Sequence, residues 1–567
     1  MDVYESSSGS LIQTVRDGMP ALTWTTFLAV LVFSCVATRV ITGLQSHQRT
    51  SGTEARRAQL APYWIPWIGH GASFLWDHVS FFESLRETMK ESVFRVYIRG
   101  EIHDTVLSPS MIKTIMSSPD ASKAPVLDQA LQNVFGDRGL LRNLRANRDH
   151  EISDDVASLI DREPFATEHS EAITKFLKRN IASLVTFCRS PVDQTPWERD
   201  SQVKLFEDDQ SVCLVDLYSL IRSFVGHNIT QLLIGESFVE SFQGFLTYIW
   251  TLDDNFVPMF VGIPRSVPTP GVSSGFAARD NLLHIMSVFY RAFNAWDDGI
   301  DPGIELRDLE DVSELFKQRM RTFRKLGLSP GASAAGNLSL YWDLLGHSAR
   351  MTFWNVVHIF ADSELLKEIR KEISPYVKAI RLTRRETGFP MDEPPTLDMD
   401  MEKMLQFCPL LKASYYETIR LHSAGISFRK LESDITLTES TADAVEPRTY
   451  KLRKGEKVIM PHGVFQNDPN HFSNPDQFDP LRFIGAESGN SHKVVNAEAL
   501  GPMADGLYAS KHNSFTERTI LGFTAAIVSM WDLTSPDGKS ITVPGNRTTW
   551  GAFSPTNNVR AKVRMAV

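Results

Sequence analysis

Apolar positions along the chain follow a helical rather than a strand pattern over most of its length. Between about residues 72 and 430, apolar residues recur at three- and four-residue spacing. The clearest of these segments are Phe82 to Met89, Leu214 to Leu233 and Asn281 to Asp297. Alternating β-branched and aromatic residues predict short strands at Val93 to Gly100 and Thr105 to Pro109. The pattern therefore predicts a mainly α fold with minor β structure, in one large domain over residues 72–567.

The first apolar run is different, because it is uncharged from Ala21 to Thr38. As a helix these residues rise about 27 Å, close to the hydrocarbon thickness of a bilayer. Four arginines follow the run within 20 residues, whereas Arg16 is the single basic residue before it. The positive-inside rule then predicts a luminal segment 1–20, a single-pass anchor at 21–44 and a cytosolic body.

A stiff linker is predicted between the anchor and the body, over residues 45–71. Pro62 and Pro66 fix φ and prevent a continuing helix, and Gly69 and Gly71 permit a sharp turn. Breakers also cluster at Gly262 to Gly275, which predicts a loop.

One long buried helix is predicted from about Gly336 to Ile373, because it is apolar on more than one face. Asp343, His347 and Arg350 share a face of this helix at i, i+4 and i+7. Polar residues on a buried face need partners or a wet cavity. They are candidates for the polar lining of a ligand pocket, and hence for catalytic residues. The alternative is an Asp343–Arg350 ion pair with His347 as a bystander.

Charge and cysteine content exclude several functions. The formal net charge is 59 − 68 = −9, so nucleic acid is not an expected partner. The four cysteines are Cys35, Cys188, Cys213 and Cys408, widely spaced and without a CxxC pair. They are typical of reduced core thiols. The sequence contains no GxxxxGK[ST] and no HExxH, and no GxSxG in a strand–turn–helix context.

Two motifs near the carboxyl terminus have a specific order. Glu417 and Arg420 form an ExxR pair on one helix face, and a proline-rich meander ends in FDPLRF, which includes Arg482. In this order they resemble the cytochrome P450 superfamily, particularly the microsomal branch with prostacyclin synthase and cholesterol 7α-hydroxylase. The resemblance implies a P450-like fold, an endoplasmic reticulum anchor and a lock made by Glu417, Arg420 and Arg482. It also matches Arg429 to a position that often contacts a haem propionate.

The family's haem-ligand cysteine has no counterpart in this chain. In the family a loop before the last long helix, here Ser514 to Leu533, presents a thiolate that favours O–O cleavage at haem iron. The corresponding position holds Ser510, a poor ligand, and no cysteine follows Cys408. Tyr508 and His512 are the alternative iron ligands in this loop. The expectation is therefore no cofactor and no metal, with haem only if Tyr508 or His512 serves, and no reductase partner.

The resulting hypothesis is a haem-deficient, P450-like enzyme of fungal secondary metabolism. It would fold a lipophilic terpenoid or polyketide in an apolar cavity beside the long helix. A redox-neutral cyclisation or isomerisation, Diels–Alderase-like, would follow from orientation and a few hydrogen bonds. Two alternatives stay open: a haem monooxygenase with an atypical axial ligand, and a non-catalytic binding or scaffold protein.

Overall fold

The computed structural model describes residues 21–46, 56–98, 100–141, 165–207, 209–267, 269–382, 394–440, 447–486, 493–502, 514–549 and 551–566. The chain divides into two compact units. The first comprises Met1–Ser122 and Lys430–Ile459, and the second comprises Lys123–Arg429 and Met460–Val567. The domain boundaries at residues 20, 44 and 71 stay predictions.

The described residues are mainly helical. The helices of the first half are Ala21–Ser46 (α1), Gly71–Trp76 (α2), His78–Met89 (α3), Pro109–Ser117 (α4), Ala124–Asn133 (α5), Phe165–Asn180 (α6), Pro196–Asp200 (α7), Leu217–Ile234 (α8), Glu236–Ser241 (α9), Phe245–Asp254 (α10), Phe256–Phe260 (α11) and Val272–Asp297 (α12). Those of the second half are Glu314–Lys325 (α13), Pro330–Ala361 (α14), Ser363–Ile373 (α15), Met401–Phe407 (α16), Pro409–His422 (α17), His462–Gln466 (α18) and Ser514–Met530 (α19). Short 3₁₀ helices lie at Ile181–Ser183, Ile304–Leu306, Pro480–Phe483 and Ala497–Leu500.

The strands are short. They are Gln59–Leu60 (β1), Val93–Ile98 (β2), Glu101–Val106 (β3), Ala121–Ser122 (β4), Lys204–Leu205 (β5), Val212–Asp216 (β6), Val377–Ile380 (β7), Thr396–Met399 (β8), Ser423–Ala424 (β9), Ile426–Leu431 (β10), Ile435–Thr438 (β11), Thr449–Leu452 (β12), Lys457–Pro461 (β13), Ile484–Ala486 (β14), Lys493–Val495 (β15), Trp531–Thr534 (β16), Asn546–Arg547 (β17), Gly551–Ala552 (β18), Ser554–Pro555 (β19) and Arg560–Met565 (β20). The mainly α class with a minor β component is thus confirmed.

The first unit carries the apolar amino-terminal helix and most of one sheet. Residues 24–45 of α1 are long and apolar enough to cross a membrane. The carboxyl-terminal part of α1 is held against the proline-rich elbow, because Arg39 donates to the carbonyl oxygen of Pro62 and Thr42 exchanges hydrogen bonds with the Tyr63 backbone. In the sheet, β1 is parallel to β2, β2 is antiparallel to β3, and β3 is parallel to β13.

The second unit is built around α14, whose residues are almost all buried. The predicted helix over Gly336 to Ile373 is wrong in one respect, because it is two helices. Asp362 takes an extended conformation (φ −114°, ψ 109°), and its carboxylate accepts hydrogen bonds from the backbone N–H groups of Glu364 and Leu365. Because Asp362 is extended and caps the first turn of α15, α14 ends at the residue before it.

The predicted helix over Leu214 to Leu233 also contains an unpredicted strand. Its first residues belong to β6, and α8 begins only at Leu217, where the carboxylate of Asp216 accepts from the Ser219 backbone N–H. The partner strand β20 comes from the carboxyl terminus, with Cys213 opposite Val563. A pairing across this sequence distance leaves no local signal, so the apolar run was interpreted as continuous helix.

The structure differs by a few residues from two other predicted boundaries. The predicted loop at Gly262 to Gly275 is shorter, because α12 begins at Val272. The last long helix ends at Met530, and the next residues form β16 against β20.

A pair of buried histidines joins α14 to α17. Nε2 of His358 lies 2.7 Å from Nε2 of His422, and Nδ1 of His422 lies 2.8 Å from the amide oxygen of Asn546. Since an amide oxygen only accepts, His422 donates from Nδ1 and accepts at Nε2 from His358. His422 also stacks on Trp354, at 3.8 Å between ring centroids. Burial lowers the pKa of His358 to about 3 and that of His422 well below its usual value.

These histidines predict acid sensitivity of the fold. Their folded-state pKa values lie below the unfolded value, so their contribution to stability is complete above about pH 6.5 and is lost as pH falls toward 3. Between pH 6.5 and 5 we expect His358 to account for a loss of about 2 kcal/mol, and the lowered pKa of His422 acts in the same direction. Denaturant unfolding at both pH values measures this loss. His358→Gln, which keeps an N–H donor, is expected to reduce the pH dependence by about one proton.

The exposed His471 provides a control for this experiment. His471→Asn is expected to leave the pH dependence of unfolding unchanged. Equal pH dependence in the wild-type protein and in His358→Gln would show that the buried pair does not determine acid stability.

Candidate functional site

The sequence-predicted lock residues are in direct contact beneath the central helix. The Glu417 carboxylate accepts two hydrogen bonds from Arg420, both 2.8 Å, and one of 3.0 Å from Nε of Arg482. Arg420 also donates to the carbonyl oxygens of Gln466 and Pro475. Glu417 and Arg420 are completely buried. The cluster thus ties the meander to α17 through charge-assisted hydrogen bonds.

The three polar candidates of α14 occupy neighbouring turns of one buried helix. His347 and Arg350 are almost fully buried, and Asp343 is partly buried. Arg350 forms its ion pair with Asp253, the penultimate residue of α10. The indole Nε1 of Trp342 also donates to Asp253, at 3.0 Å. The contacts therefore associate Arg350 with a carboxylate that sequence analysis did not single out.

Burial and neighbouring charges both act on the Arg350–Asp253 ion pair. Burial raises the pKa of the Asp253 carboxyl, and the cations Arg350 and Arg222 oppose this shift. The guanidinium of Arg350 also has Tyr218 as a hydrogen-bond partner. Its Nε, however, is buried without an acceptor among the residues that the structure describes. A buried charged donor of this kind is costly unless another group accepts from it.

Aromatic side chains border the ion pair. The Trp342 ring stacks on Phe256 of α11, with 4.3 Å between centroids and 6° between planes. Phe135 contacts both rings, at 5.8 Å from Trp342 and 6.3 Å from Phe256. Phe260 stacks on Phe256 and approaches Phe428. This arrangement places an apolar aromatic cluster next to the charged pair.

A sequence signal for Asp253 and Arg222 did exist. Arg222 is the lone cation within the apolar run of α8, and Asp253 and Asp254 end the apolar α10. A charged residue on a buried helix face needs an opposite charge. The pattern shows that partners are needed but not which helix supplies them.

A cavity of about 380 Å³ lies elsewhere in the second unit. Residues of α6, α8, α9 and α13 line it, together with Phe515 in the first turn of α19. Asp343, His347 and Arg350 are not among its lining residues. The predicted apolar cavity beside the central helix stays a prediction.

Ser510, Tyr508 and His512 lie outside the described residues. The chain leading to them is described as far as Pro502, whose carbonyl oxygen lies 2.8 Å from Nδ1 of His462. Gly501 has φ +72°, and a Cβ there would lie 2.5 Å from the Phe465 ring. Glycine is required at this turn, so the entry to the loop is fixed by packing.

Comparison with known proteins agrees with this architecture. The family model for cytochrome P450 matches residues 349–497. The cytochrome P450 monooxygenase poxD of Penicillium oxalicum is 22% identical over 479 residues, 84% of this chain and 87% of the relative. The human 7-alpha-hydroxycholest-4-en-3-one 12-alpha-hydroxylase is 21% identical over 517 residues, 88% of this chain and 91% of the relative. Cytochrome P450 7A1 of Oryctolagus cuniculus is 23% identical over 291 residues, 50% and 55% of the two chains.

Residues 349–497 match the cytochrome P450 family, and the chain has a P450-like fold behind an amino-terminal apolar helix. Its relatives are named as monooxygenases and hydroxylases, which supports a P450-like enzyme. The apolar helix is consistent with a membrane-anchored protein.

These findings contradict the expectation that the protein needs no cofactor. Enzymes of this family normally use haem, and the relatives share the family and its activities. Haem, when bound, supplies the oxygen chemistry of a P450 enzyme. Arg429, the expected propionate contact, is buried and donates from Nη1 to the Phe428 carbonyl oxygen at 2.9 Å.

The cysteines of this chain do not fit the thiolate ligand of that haem. Cys35 lies in the apolar helix α1, and the thiols of the other three form weak hydrogen bonds to the backbone carbonyl oxygens of Thr186, Val563 and Glu372. Burial raises the pKa of the Cys213 and Cys408 thiols to about 12, so both stay protonated at neutral pH.

Proposed function

We propose that this P450-fold enzyme catalyses a redox-neutral cyclisation or isomerisation of a lipophilic terpenoid or polyketide intermediate. The observation that carries the proposal is the buried guanidinium of Arg350, fixed by Asp253 while its Nε has no acceptor among the described residues. Such a donor is prepared for an oxygen atom of a bound substrate. A donor whose orientation is already fixed costs no reorganisation during the reaction.

Arg350 would act by holding the substrate in a reactive fold. A charge-assisted hydrogen bond to a substrate oxygen fixes one end of the molecule. The aromatic cluster of Phe135, Phe256 and Trp342 would confine the apolar remainder beside α14. Orientation of this kind can supply much of the rate of an intramolecular cyclisation, since no second reactant is needed. His347 and Asp343 remain proposed members of the same polar face.

The surroundings also favour a lipophilic substrate. The human relative is named for hydroxylation of a sterol-like ketone, which is a lipophilic small molecule. An apolar helix that anchors the enzyme would place it where such compounds partition. We propose the endoplasmic reticulum membrane as its location, with the body in the cytosol and no required reductase.

A mass-balance assay tests this function. The full-length protein is purified in lipid nanodiscs and incubated with the intermediate that accumulates in a host lacking it, without reduced nicotinamide and without oxygen. We expect an isomeric product of unchanged mass. Arg324→Met, at an exposed ion pair with Asp298, is the control and should retain activity. Absence of product without reductant and oxygen would refute the redox-neutral reaction.

A monooxygenase with an atypical iron ligand is the second candidate function, and the names of the relatives favour it. It predicts a product one oxygen atom heavier that forms only when reductase, reduced nicotinamide and oxygen are supplied. Tyr508 and His512 would then be the residues to substitute, with the absorption spectrum of bound haem as the readout.

A further inference from the structure

Arg222 brings a second buried guanidinium to the neighbourhood of Asp253. Its plane lies over the Trp250 ring, 4.3 Å from the centroid, and its side chain is only 12% exposed. Its Nη2 is 3.7 Å from the Asp254 carboxylate, which is close enough for attraction but too long for a hydrogen bond. Both Nε and Nη2 of Arg222 are buried without an acceptor among the described residues.

The charges of this group do not balance. We name the arginine cluster the five residues Arg222, Arg350, Arg547, Asp253 and Asp254. Arg547 of β17 lies 3.5 Å from Asp254, and Arg350 is paired with Asp253. Asp254 and Arg547 are 36% and 56% exposed, so solvent screens them. Among the buried members, the two cations Arg222 and Arg350 have one carboxylate, Asp253, which leaves one positive charge. A buried excess charge is unfavourable unless an opposite charge joins it.

The arginine cluster also has more buried hydrogen-bond donors than acceptors. Within the part of the chain that the structure describes, four buried donors of this group have no acceptor: Nε of Arg350, Nε and Nη2 of Arg222, and Nε1 of Trp250. All are N–H groups, so the group that satisfies them must be an acceptor. A carboxylate has two oxygens, about four acceptor positions and one negative charge, which matches both deficits. A phosphate with nearly two charges would exceed the charge deficit.

We propose that the arginine cluster binds the carboxylate of a lipophilic carboxylic acid, and that this acid is the substrate. The inference rests on the proposed function and specifies its substrate class. Arg547 and Asp254 are partly exposed and form the outer side of the cluster, whereas Arg350 and Asp253 are buried. The aromatic cluster meets the inner side through Trp342, which donates to Asp253 and stacks on Phe256. A head group at the arginines thus places an apolar chain against aromatic rings.

Matched probes that differ only in the head group test the proposal. Binding of geranic acid, geraniol and geranyl phosphate is measured by calorimetry on the full-length protein in nanodiscs at neutral pH, with empty nanodiscs subtracted. Geranic acid is expected to bind at least about 10-fold more tightly than geraniol, because a hydrogen bond to a charged group contributes a free energy that corresponds to at least this factor. Arg222→Met should remove most of this preference, and Arg547→Met should reduce it about twofold because that side chain is exposed.

Controls separate the binding site from folding and from catalysis. Arg324→Met, an exposed arginine on α13, should keep the full preference. Arg222→Lys keeps the charge but loses Nε, so an intermediate preference in a protein with a wild-type melting temperature would support the assignment. Equal binding of geranic acid and geraniol, no binding of geranic acid, a preserved preference in Arg222→Met, or tighter binding of geranyl phosphate would each overturn it. Since turnover is not measured, failure here leaves the proposed reaction untouched.

Discussion

Replacing Arg420 by methionine is expected to cost about 3–5 kcal/mol of folding free energy, because it leaves the Glu417 carboxylate buried with Arg482 as its remaining cation. It also deprives the carbonyl oxygens of Gln466 and Pro475 of their donor. A domain is stable by only about 5–15 kcal/mol, so this loss should strongly reduce the fraction of folded protein. Denaturant unfolding, or the yield of folded protein, measures the effect.

The control for Arg420→Met is an arginine in an exposed pair. Arg324→Met removes a 2.7 Å contact with Asp298 and should change the stability little, because water screens this exposed pair. Adding Glu417→Gln to Arg420→Met also takes the carboxylate partner from Arg482, so it should not recover the loss. A folded Arg420→Met protein of near wild-type stability would contradict a stabilising role for this cluster.

Arg350→Lys is expected to lower kcat/KM about 10- to 100-fold, since it removes the Nε donor from the proposed substrate contact. Lysine keeps the positive charge beside Asp253, so the melting temperature should change little. Arg350→Met, in contrast, leaves Asp253 buried without this cation and should destabilise the fold by about 3–5 kcal/mol. Initial rates over a substrate series, with thermal unfolding of the same samples, provide both readouts.

The division between KM and kcat distinguishes a substrate contact from a structural role. If Arg350 orients the substrate, Arg350→Lys should lower kcat as well as raise KM, because a misoriented chain reacts more slowly even when bound. Asp253→Asn, which keeps the size of the side chain, should mimic the defect through a displaced guanidinium. Wild-type kinetics in Arg350→Lys would exclude Arg350 from the proposed reaction.

Local sequence was sufficient for those features whose determinants are close together in the chain. The uncharged run after Ala21 predicts its own helix, since length and polarity alone decide whether a segment can span a bilayer. Glu417 and Arg420 meet because three residues of helix bring them to the same face. Likewise, Asp343, His347 and Arg350 follow from the period of α14.

Tertiary structure alone decided which distant elements meet. Periodicity gives the buried face of α14 but not the helix that packs on it, so Asp253 could not be matched to Arg350 across 97 residues. The first residues of the run from Leu214 to Leu233 became strand β6 because β20, about 350 residues later, offers backbone partners. The amino-acid sequence by itself thus determined the helical class, the apolar amino-terminal helix and the Glu417–Arg420 pair. Long-range packing determined the arginine cluster, because burial creates its need for opposite charges only after the helices have come together.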